Sequence, residues 1–330
     1  MMKFLVFFAL FTCHLALAQV PASANASAPA LSSRSYLLVD FQSRQILAAH
    51  NAQERIEPAS LTKLMTAYVA FDALRQKRIT LAQAFSVSEN AWHAPGARMF
   101  LTLGESVPVE ALLNGMIVQS GNDAAIALAE GVAGSEEAFV DTMNREASRL
   151  GLTNSHFVNA TGLPDPQHYS TASDLAILSR RIIEEFPQYF PIYKLREYRH
   201  NNITQYNRNR LLGRDPFVDG LKTGYTESAG FCMIATALRK DRRLIAVVLD
   251  AGSDNGRAVD AQKLLNYGFE AFDTVKLYAG GQPIQPLPVW KGNSSELQVG
   301  LPDDYFITLP KGFSERLKAT LESMQPLMAP

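Results

Sequence analysis

Val218-Asp219-Gly220-Leu221-Lys222-Thr223, Gly230-Phe231-Cys232-Met233-Ile234-Ala235-Thr236-Ala237-Leu238 and Leu244-Ile245-Ala246-Val247-Val248-Leu249 are three short runs near the C-terminal third of the chain, the last two mostly apolar. Their length and their content of β-branched residues read as strands. The turn at 239–242 joins the last two as a hairpin. Working back toward the N-terminus, Tyr36-Leu37-Leu38-Val39-Asp40 and Gln45-Ile46-Leu47-Ala48-Ala49 read as two more strands around a tight turn. Between these two groups the period changes. Residues 80–200 are expected to be mostly helical, with helices over 109–118, 122–132, 135–150 and 171–186. Ser135 suits an N-cap, Gly151 follows a helix end and Pro187 stops the last one. Pro58-Ala59 leads into a further helix over 60–74, and 255–269 reads as a closing helix. Strands therefore open and close the domain while helices fill its middle. The simplest arrangement is an α/β fold: one antiparallel sheet, helices flanking it and a helical subdomain at one end.

After Gly280-Gly281-Gln282-Pro283 short alternating stretches take over, such as Asp304-Tyr305-Phe306-Ile307-Thr308-Leu309. They point to a small β-rich domain. At the other end, Met1-Met2-Lys3 precedes an apolar stretch over 4–17 that closes on Ala16-Leu17-Ala18. This is the layout of a signal peptide, and the stretch is short for a membrane span. The expected division is a signal peptide over 1–18, a flexible Ala-, Ser- and Pro-rich leader over 19–33, a main domain over 34–280 and a β-rich domain over 281–330. Cleavage after Ala18 leaves Cys232 as the single cysteine, so no internal disulfide is expected. The net charge of −1 among 330 residues argues against bulk nucleic-acid binding. Anion recognition has to come from a few placed basic residues.

Three pieces carry chemistry: Ser60-Leu61-Thr62-Lys63, Ser120-Gly121-Asn122 and Lys222-Thr223-Gly224. Each alone has a plain structural reading, as a helix cap before a surface lysine, a cap before the next helix and a strand ending in a turn. Together, in this order, they point to one cleft. A serine hydroxyl needs a nearby base to act as a nucleophile. On a helix, positions i and i+3 share a face, so Ser60 and Lys63 can meet. The free N–H groups at that helix start can contribute to an oxyanion hole. Burial beside Lys222 is expected to push Lys63 toward its neutral form. Ser120 can relay a proton and Asn122 can bind a substrate amide. Lys222 and Gly224 share one face of a strand, Gly224 leaves room for a substrate backbone along that strand, and the N–H of Tyr225 supplies a second oxyanion donor. None of the six histidines stands in a Gly-x-Ser-x-Gly context or at metal-ligand spacing. The chemistry expected is of the Ser–Lys type, with no metal and no cofactor.

On these residues the chain resembles the low-molecular-mass penicillin-binding proteins that are serine-type D-alanyl-D-alanine carboxypeptidases, over about residues 32–282. The resemblance rests on Glu57-Pro58-Ala59-Ser60-Leu61-Thr62-Lys63-Leu64-Met65-Thr66, Gln119-Ser120-Gly121-Asn122-Asp123-Ala124 and Asp219-Gly220-Leu221-Lys222-Thr223-Gly224, with Asn207-Arg208-Asn209 and Gly256-Arg257 beside them. It implies a β-lactamase/transpeptidase-like sheet domain with a helical subdomain, then a β-rich domain and a C-terminal amphipathic anchor helix. It also implies acyl transfer, in which Ser60 attacks the D-Ala–D-Ala bond of a peptidoglycan stem peptide and water hydrolyses the acyl-enzyme. Lys63 is then the base, Ser120 the proton shuttle and Lys222 a residue holding site and substrate. Thr223, Gly224 and Tyr225 bind substrate, while Arg208 and Arg257 lie near its terminal carboxylate. β-Lactam antibiotics follow as covalent inhibitors, and the periplasm as the location, peripheral on the inner membrane where an anchor is present. Tyr225 stands where some members of the family carry histidine. No amphipathic helix with a basic face follows the β-rich segment, so that domain is expected to be incomplete and the anchor absent from this chain. The competing readings are a DD-endopeptidase, a class A-like serine β-lactamase and a non-catalytic peptidoglycan-binding protein. For the β-lactamase, Glu197-Tyr198-Arg199-His200-Asn201 supplies the letters of a deacylating loop but stands close before Lys222.

Overall fold

The computed structural model describes residues 28–317 and 327–328. The expected signal peptide and the leader as far as residue 27 lie outside the described residues. Strands β1 (Ser35–Asp40) and β2 (Ile46–His50) form the opening hairpin, and a 3-10 turn over Ala59–Thr62 leads into α1 (Lys63–Arg75). The middle of the chain then runs β3 (Ala84–Ser86), α2 (Glu89–Trp92), β4 (Ser106–Pro108), α3 (Val109–Val118), α4 (Asn122–Ala133), α5 (Glu136–Leu150) and α6 (Ala172–Glu185). A hairpin of β5 (Glu197–His200) and β6 (Ile203–Tyr206) and a short α7 (Leu211–Arg214) lead to β7 (Val218–Thr226), β8 (Gly230–Arg239), β9 (Arg242–Ala251) and α8 (Asp254–Ala271). Finally come β10 (Phe272–Tyr278), β11 (Pro283–Trp290), β12 (Glu296–Gly300), β13 (Tyr305–Pro310) and β14 (Leu327–Met328).

The main sheet is antiparallel in the order β2-β1-β9-β8-β7, so the N-terminal hairpin pairs with the C-terminal strands as the sequence predicts. Its strands alternate between two cores. Leu37 and Val39, Cys232 and Ile234, and Ile245, Val247 and Leu249 face the larger core with α1, α3 and α4. Leu38, Met233 and Ala235, and Leu244, Ala246 and Val248 face the smaller one, covered by Ala258, Ala261, Leu264 and Leu265 of α8. A strand buried on both faces reads as a continuous apolar run, which is why β9 was recognisable. The order leaves β7, which carries Lys222, at the edge of the sheet.

Two expectations change. The helix predicted over 60–74 begins as a 3-10 turn and becomes α-helical only at Lys63, with Ala59 just before Ser60 at a left-handed φ of 48°. The region 80–200 is also less helical than predicted, since it holds the β3–β4 pair and the start of the β5–β6 hairpin. Beyond α8, β10 pairs with β13 and β11 with β12 and β14, giving the small β-rich part. It joins the sheet through polar groups. Asp40 accepts from Arg242 Nε at 2.8 Å and Thr274 Oγ1 at 2.6 Å, while Arg242 Nη1 donates to Phe272 O at 2.6 Å.

Candidate active site

The turn before α1 is held against β7 by a close backbone approach. A Cβ on Gly224 would stand 3.0 Å from Pro58 O, 3.1 Å from Ala59 Cβ and 3.1 Å from Ser60 N. The space expected for a substrate backbone at this glycine is thus taken by the Pro58–Ser60 segment itself. The glycine lets Ser60 meet the edge strand. Ser60 is followed by Lys63 within a 3-10 turn, in which i and i+3 eclipse more closely than in an α-helix. Ser120 sits between α3 and α4 with a left-handed φ of 71°, a conformation rare outside glycine and common at functional sites.

A cleft of about 240 Å³ opens over these elements. Ser60, Ser120, Asn122, Arg208, Thr223, Gly224, Tyr225 and Arg257 line it. Lys63 and Lys222 lie buried beneath. Lys63 Nζ is 3.1 Å from Ser60 Oγ, 2.6 Å from Asn122 Oδ1 and 2.8 Å from the carbonyl of Thr161. Lys222 Nζ donates to Ser120 Oγ at 2.9 Å and to Thr223 O at 2.8 Å. All ten residues singled out from the sequence therefore meet at one place.

Burial pushes Lys63 down to about 7; Arg208 adds to the effect and Asp123 opposes it. The cation that lowers Lys63 is thus Arg208 rather than the expected Lys222, and between the two lysines the effect falls on Lys222. Burial also drives Lys222 well below the usual lysine range, helped by Lys63, Arg208 and Arg257. A neutral amine has two N–H donors and one lone pair. At Lys63 the oxygens of Asn122 and Thr161 accept only, so they take both donors. The lone pair is left facing Ser60 Oγ. Such an arrangement can draw the proton from a serine hydroxyl.

Two expectations are modified by the geometry, those for Asn122 and Arg257. Asn122 uses both ends of its amide within the protein, since Nδ2 donates to Pro95 O at 2.6 Å while Oδ1 holds Lys63. Arg257 does open on the cleft, but its Nη1 donates to Gly224 O at 2.7 Å and Cys232 O at 3.2 Å, and its Nη2 binds Asp254. Arg208 is freer: its Nε donates to Gln119 O at 3.2 Å, and its Nη groups meet no hydrogen-bonding partner among the described residues. The Asn207 and Asn209 side chains brace the turn carrying it, through Leu195 O and Gly220 O. Tyr225 is 51% exposed and stacks on Phe231 with centroids 4.3 Å apart. Glu197 and Asn201 are exposed on the β5–β6 hairpin and do not line the cleft.

Sequence reasoning missed Thr161, Gly162 and Leu163, which form one wall of the cleft. It also missed what Asp123 does. This buried carboxylate accepts from Met99 N at 2.9 Å and Leu101 N at 3.2 Å, pinning the 95–101 loop beside Asn122.

The family profile described as D-alanyl-D-alanine carboxypeptidase matches residues 22–253, and that described as penicillin-binding protein 5, C-terminal domain, matches 272–330. D-alanyl-D-alanine carboxypeptidase DacC of Escherichia coli (strain K12) is 42% identical over 317 residues, covering 94% of this chain and 79% of its own length. D-alanyl-D-alanine carboxypeptidase DacA of Haemophilus influenzae is 40% identical over 299 residues, covering 89% of this chain and 76% of its own. The crystal structure of penicillin binding protein 5 from Haemophilus influenzae superimposes with a TM-score of 0.90 at 40% identity, covering 92% of this chain and 90% of that one. Profile, relatives and fold agree: the chain belongs to the D-alanyl-D-alanine carboxypeptidase family of low-molecular-mass penicillin-binding proteins.

Proposed function

We propose that the chain acts as a serine D-alanyl-D-alanine carboxypeptidase through the Ser60–Lys63 pair, releasing the terminal D-alanine of peptidoglycan stem peptides. The observation that carries this reading is the buried Lys63 amine, 3.1 Å from Ser60 Oγ and donating to Asn122 Oδ1 and the Thr161 carbonyl, so that in its neutral form the lone pair is left for Ser60. Ser60 Oγ attacks the carbonyl carbon of the D-Ala–D-Ala bond and its proton passes to Lys63. The N–H groups of Ser60 and Tyr225 receive the oxyanion. The proton reaches the leaving nitrogen by way of Ser120, which Lys222 holds, and the C–N bond breaks. Water then hydrolyses the ester and restores Ser60. The substrate backbone lies along the edge strand β7 beside Thr223 and Gly224. It draws on Asn122 only when that side chain gives up an internal bond.

The free guanidinium edge of Arg208 makes it the first choice for the terminal carboxylate, with Arg257 supporting the strand behind it. A β-lactam acylates the same Ser60. The exposure of Glu197 and Asn201 supports the carboxypeptidase over a class A-like β-lactamase, which needs a deacylating glutamate in the cleft. The intact Ser–Lys contact supports an enzyme over a binding protein. Export to the periplasm is proposed on the Ala16-Leu17-Ala18 pattern; among the described residues no helix is long and apolar enough to cross a membrane. The division at residue 280 is proposed to move back to the start of β10, because β10 pairs with β13.

Intact-mass analysis with a penicillin and D-alanine release from a pentapeptide test the reading. The wild type is expected to gain one stable adduct and to release D-alanine, and Ser60→Ala to do neither while remaining folded. Activity near wild type in Ser60→Ala would overturn the assignment.

A further inference from the structure

His168 is buried to 2% exposure and belongs to none of the three sequence pieces. Its Nδ1 accepts the backbone N–H of Val158 at 3.3 Å, which leaves the proton on Nε2, 2.8 Å from Thr62 Oγ1. Thr62 stands between Ser60 and Lys63. The ring packs edge-on against Phe157. Burial pushes His168 down to about 4, against the carboxylate of Asp165 and with a small push from His156, so the ring stays neutral near pH 7 and keeps both bonds.

The turn over 159–163 meets the same threonine. Gly162, at φ +84°, approaches so closely that a Cβ would stand 1.8 Å from Ala59 O and 2.8 Å from Thr62 Oγ1. Its neighbour Thr161 presents the carbonyl that takes an N–H of Lys63. Asn159 Oδ1 closes the turn by accepting from Thr161 N and Gly162 N at 3.1 and 2.7 Å. Thr66 Oγ1 ties Ala160 O to α1 at 2.7 Å, and Glu136 Oε1 accepts from Ala160 N at 2.9 Å.

We infer that His168 is a positioning residue for the acyl transfer: through Thr62 it locks the Ser60–Lys63 turn to the 159–163 turn, whose Thr161 carbonyl aims the Lys63 amine at Ser60. The inference rests on the reading of Ser60 as nucleophile and Lys63 as base. His168 lies outside the cleft lining and both its ring nitrogens are occupied, so it exchanges no proton with substrate. Its effect is orientation, where a shift of about 1 Å costs on the order of 100-fold in rate.

The test is the pH profile of acylation by a fluorescent penicillin. His168→Ala and Thr62→Val each break the lock, while His168→Gln and Thr62→Ser keep a donor or a hydroxyl. The breaking variants are expected to acylate about 10- to 100-fold more slowly. Their acid limb should also move upward, because a 159–163 turn released from its lock lets water in beside Lys63 and relieves the burial that depresses it more than Arg208 does, with Asp123 already opposing. The conservative variants should recover most of the rate and the wild-type limb. A slower rate with an unmoved limb makes His168 a packing residue and overturns the inference. So do wild-type rate and limb in both breaking variants while Ser60→Ala stays silent. Labelling of Ser60→Ala instead sinks the underlying nucleophile assignment. If His168→Ala does not fold, the isosteric Thr62→Val decides alone.

Discussion

At the scale of single residues, the depressed Lys63 makes a direct prediction. The neutral amine is the competent form, and burial brings its titration to about 7. Acylation by penicillin should level off above that point and fall about tenfold per pH unit below it. Lys63→Arg keeps the charge but holds its proton, so acylation should drop by several orders of magnitude across the range. Stopped-flow labelling from pH 5 to 9 measures both. The two arginines separate in a second comparison. A charge-assisted pair contributes roughly 1.5–3 kcal/mol, or about 10- to 100-fold in rate when made in the transition state. Measured at pH 9, where Lys63 is neutral even without the push from Arg208, Arg208→Ala should lose that factor on a pentapeptide with a free carboxylate and little on its amidated form. Arg257→Ala should lose on both, because its guanidinium supports the Gly224 and Cys232 carbonyls. Equal losses for Arg208→Ala on the two substrates would move the carboxylate elsewhere. What made this site legible was residue type: a serine, two lysines and a second serine in order. The Thr161 carbonyl was not legible, since every residue carries one and only the fold says which is aimed at Lys63.

At the scale of elements, the meeting of the 3-10 turn and β7 decides whether those side chains converge. Gly224→Ala places a methyl 3.0–3.1 Å from Pro58 O, Ala59 Cβ and Ser60 N, all on a segment that cannot simply rotate away. The fold should survive at a cost of about 1–3 kcal/mol while acylation falls at least tenfold, readable as thermal melting against penicillin labelling. Labelling at the wild-type rate would mean the turn has slack. The strands and most helices were readable because both faces of β8 and β9 are buried and Ser135 and Thr171 cap their helices. The β5–β6 hairpin escaped because its strands are four residues long with exposed or half-buried side chains, so no apolar rhythm marks them. Its signal lay in Asn201-Asn202, whose φ values of 45° and 63° fit the left-handed turn that asparagine tolerates. The 3-10 start was hidden for a related reason: nothing in the letters of Pro58-Ala59 announces a left-handed alanine.

At the scale of the whole molecule, the joint between the sheet and the β-rich part rests on one buried carboxylate. Asp40 is 0% exposed and accepts from Gln42 N at 3.1 Å, Ser43 N at 3.0 Å, Arg242 Nε and Thr274 Oγ1. Arg242 reaches on to the carbonyls of Gly268 and Phe272, so a single pair ties β1, β9, the end of α8 and β10. Ser43 and Thr308 close the same cluster with a contact at 2.6 Å, Ser43 Oγ also donating to Asp40 Oδ1 at 3.2 Å and Thr308 Oγ1 meeting Thr274 Oγ1 at 2.8 Å. Removing one partner of a buried pair leaves the other charge uncompensated and costs about 3–5 kcal/mol. Asp40→Ala should therefore lower stability by that order, and limited proteolysis should cut near residue 272 well before it cuts the main domain. Thr274→Val removes the hydroxyl that links Asp40 to Thr308 Oγ1 and leaves the ion pair in place, so its effect should stay at about 1–2 kcal/mol. The cleft lies on the edge strand β7, at the opposite side of the sheet from the β1–β2 hairpin. The fraction of Asp40→Ala that remains folded should then label with penicillin at the wild-type rate. Slow labelling in that fraction, with the Thr274 variant slowed in proportion, would mean that the joint also sets the geometry of the active site.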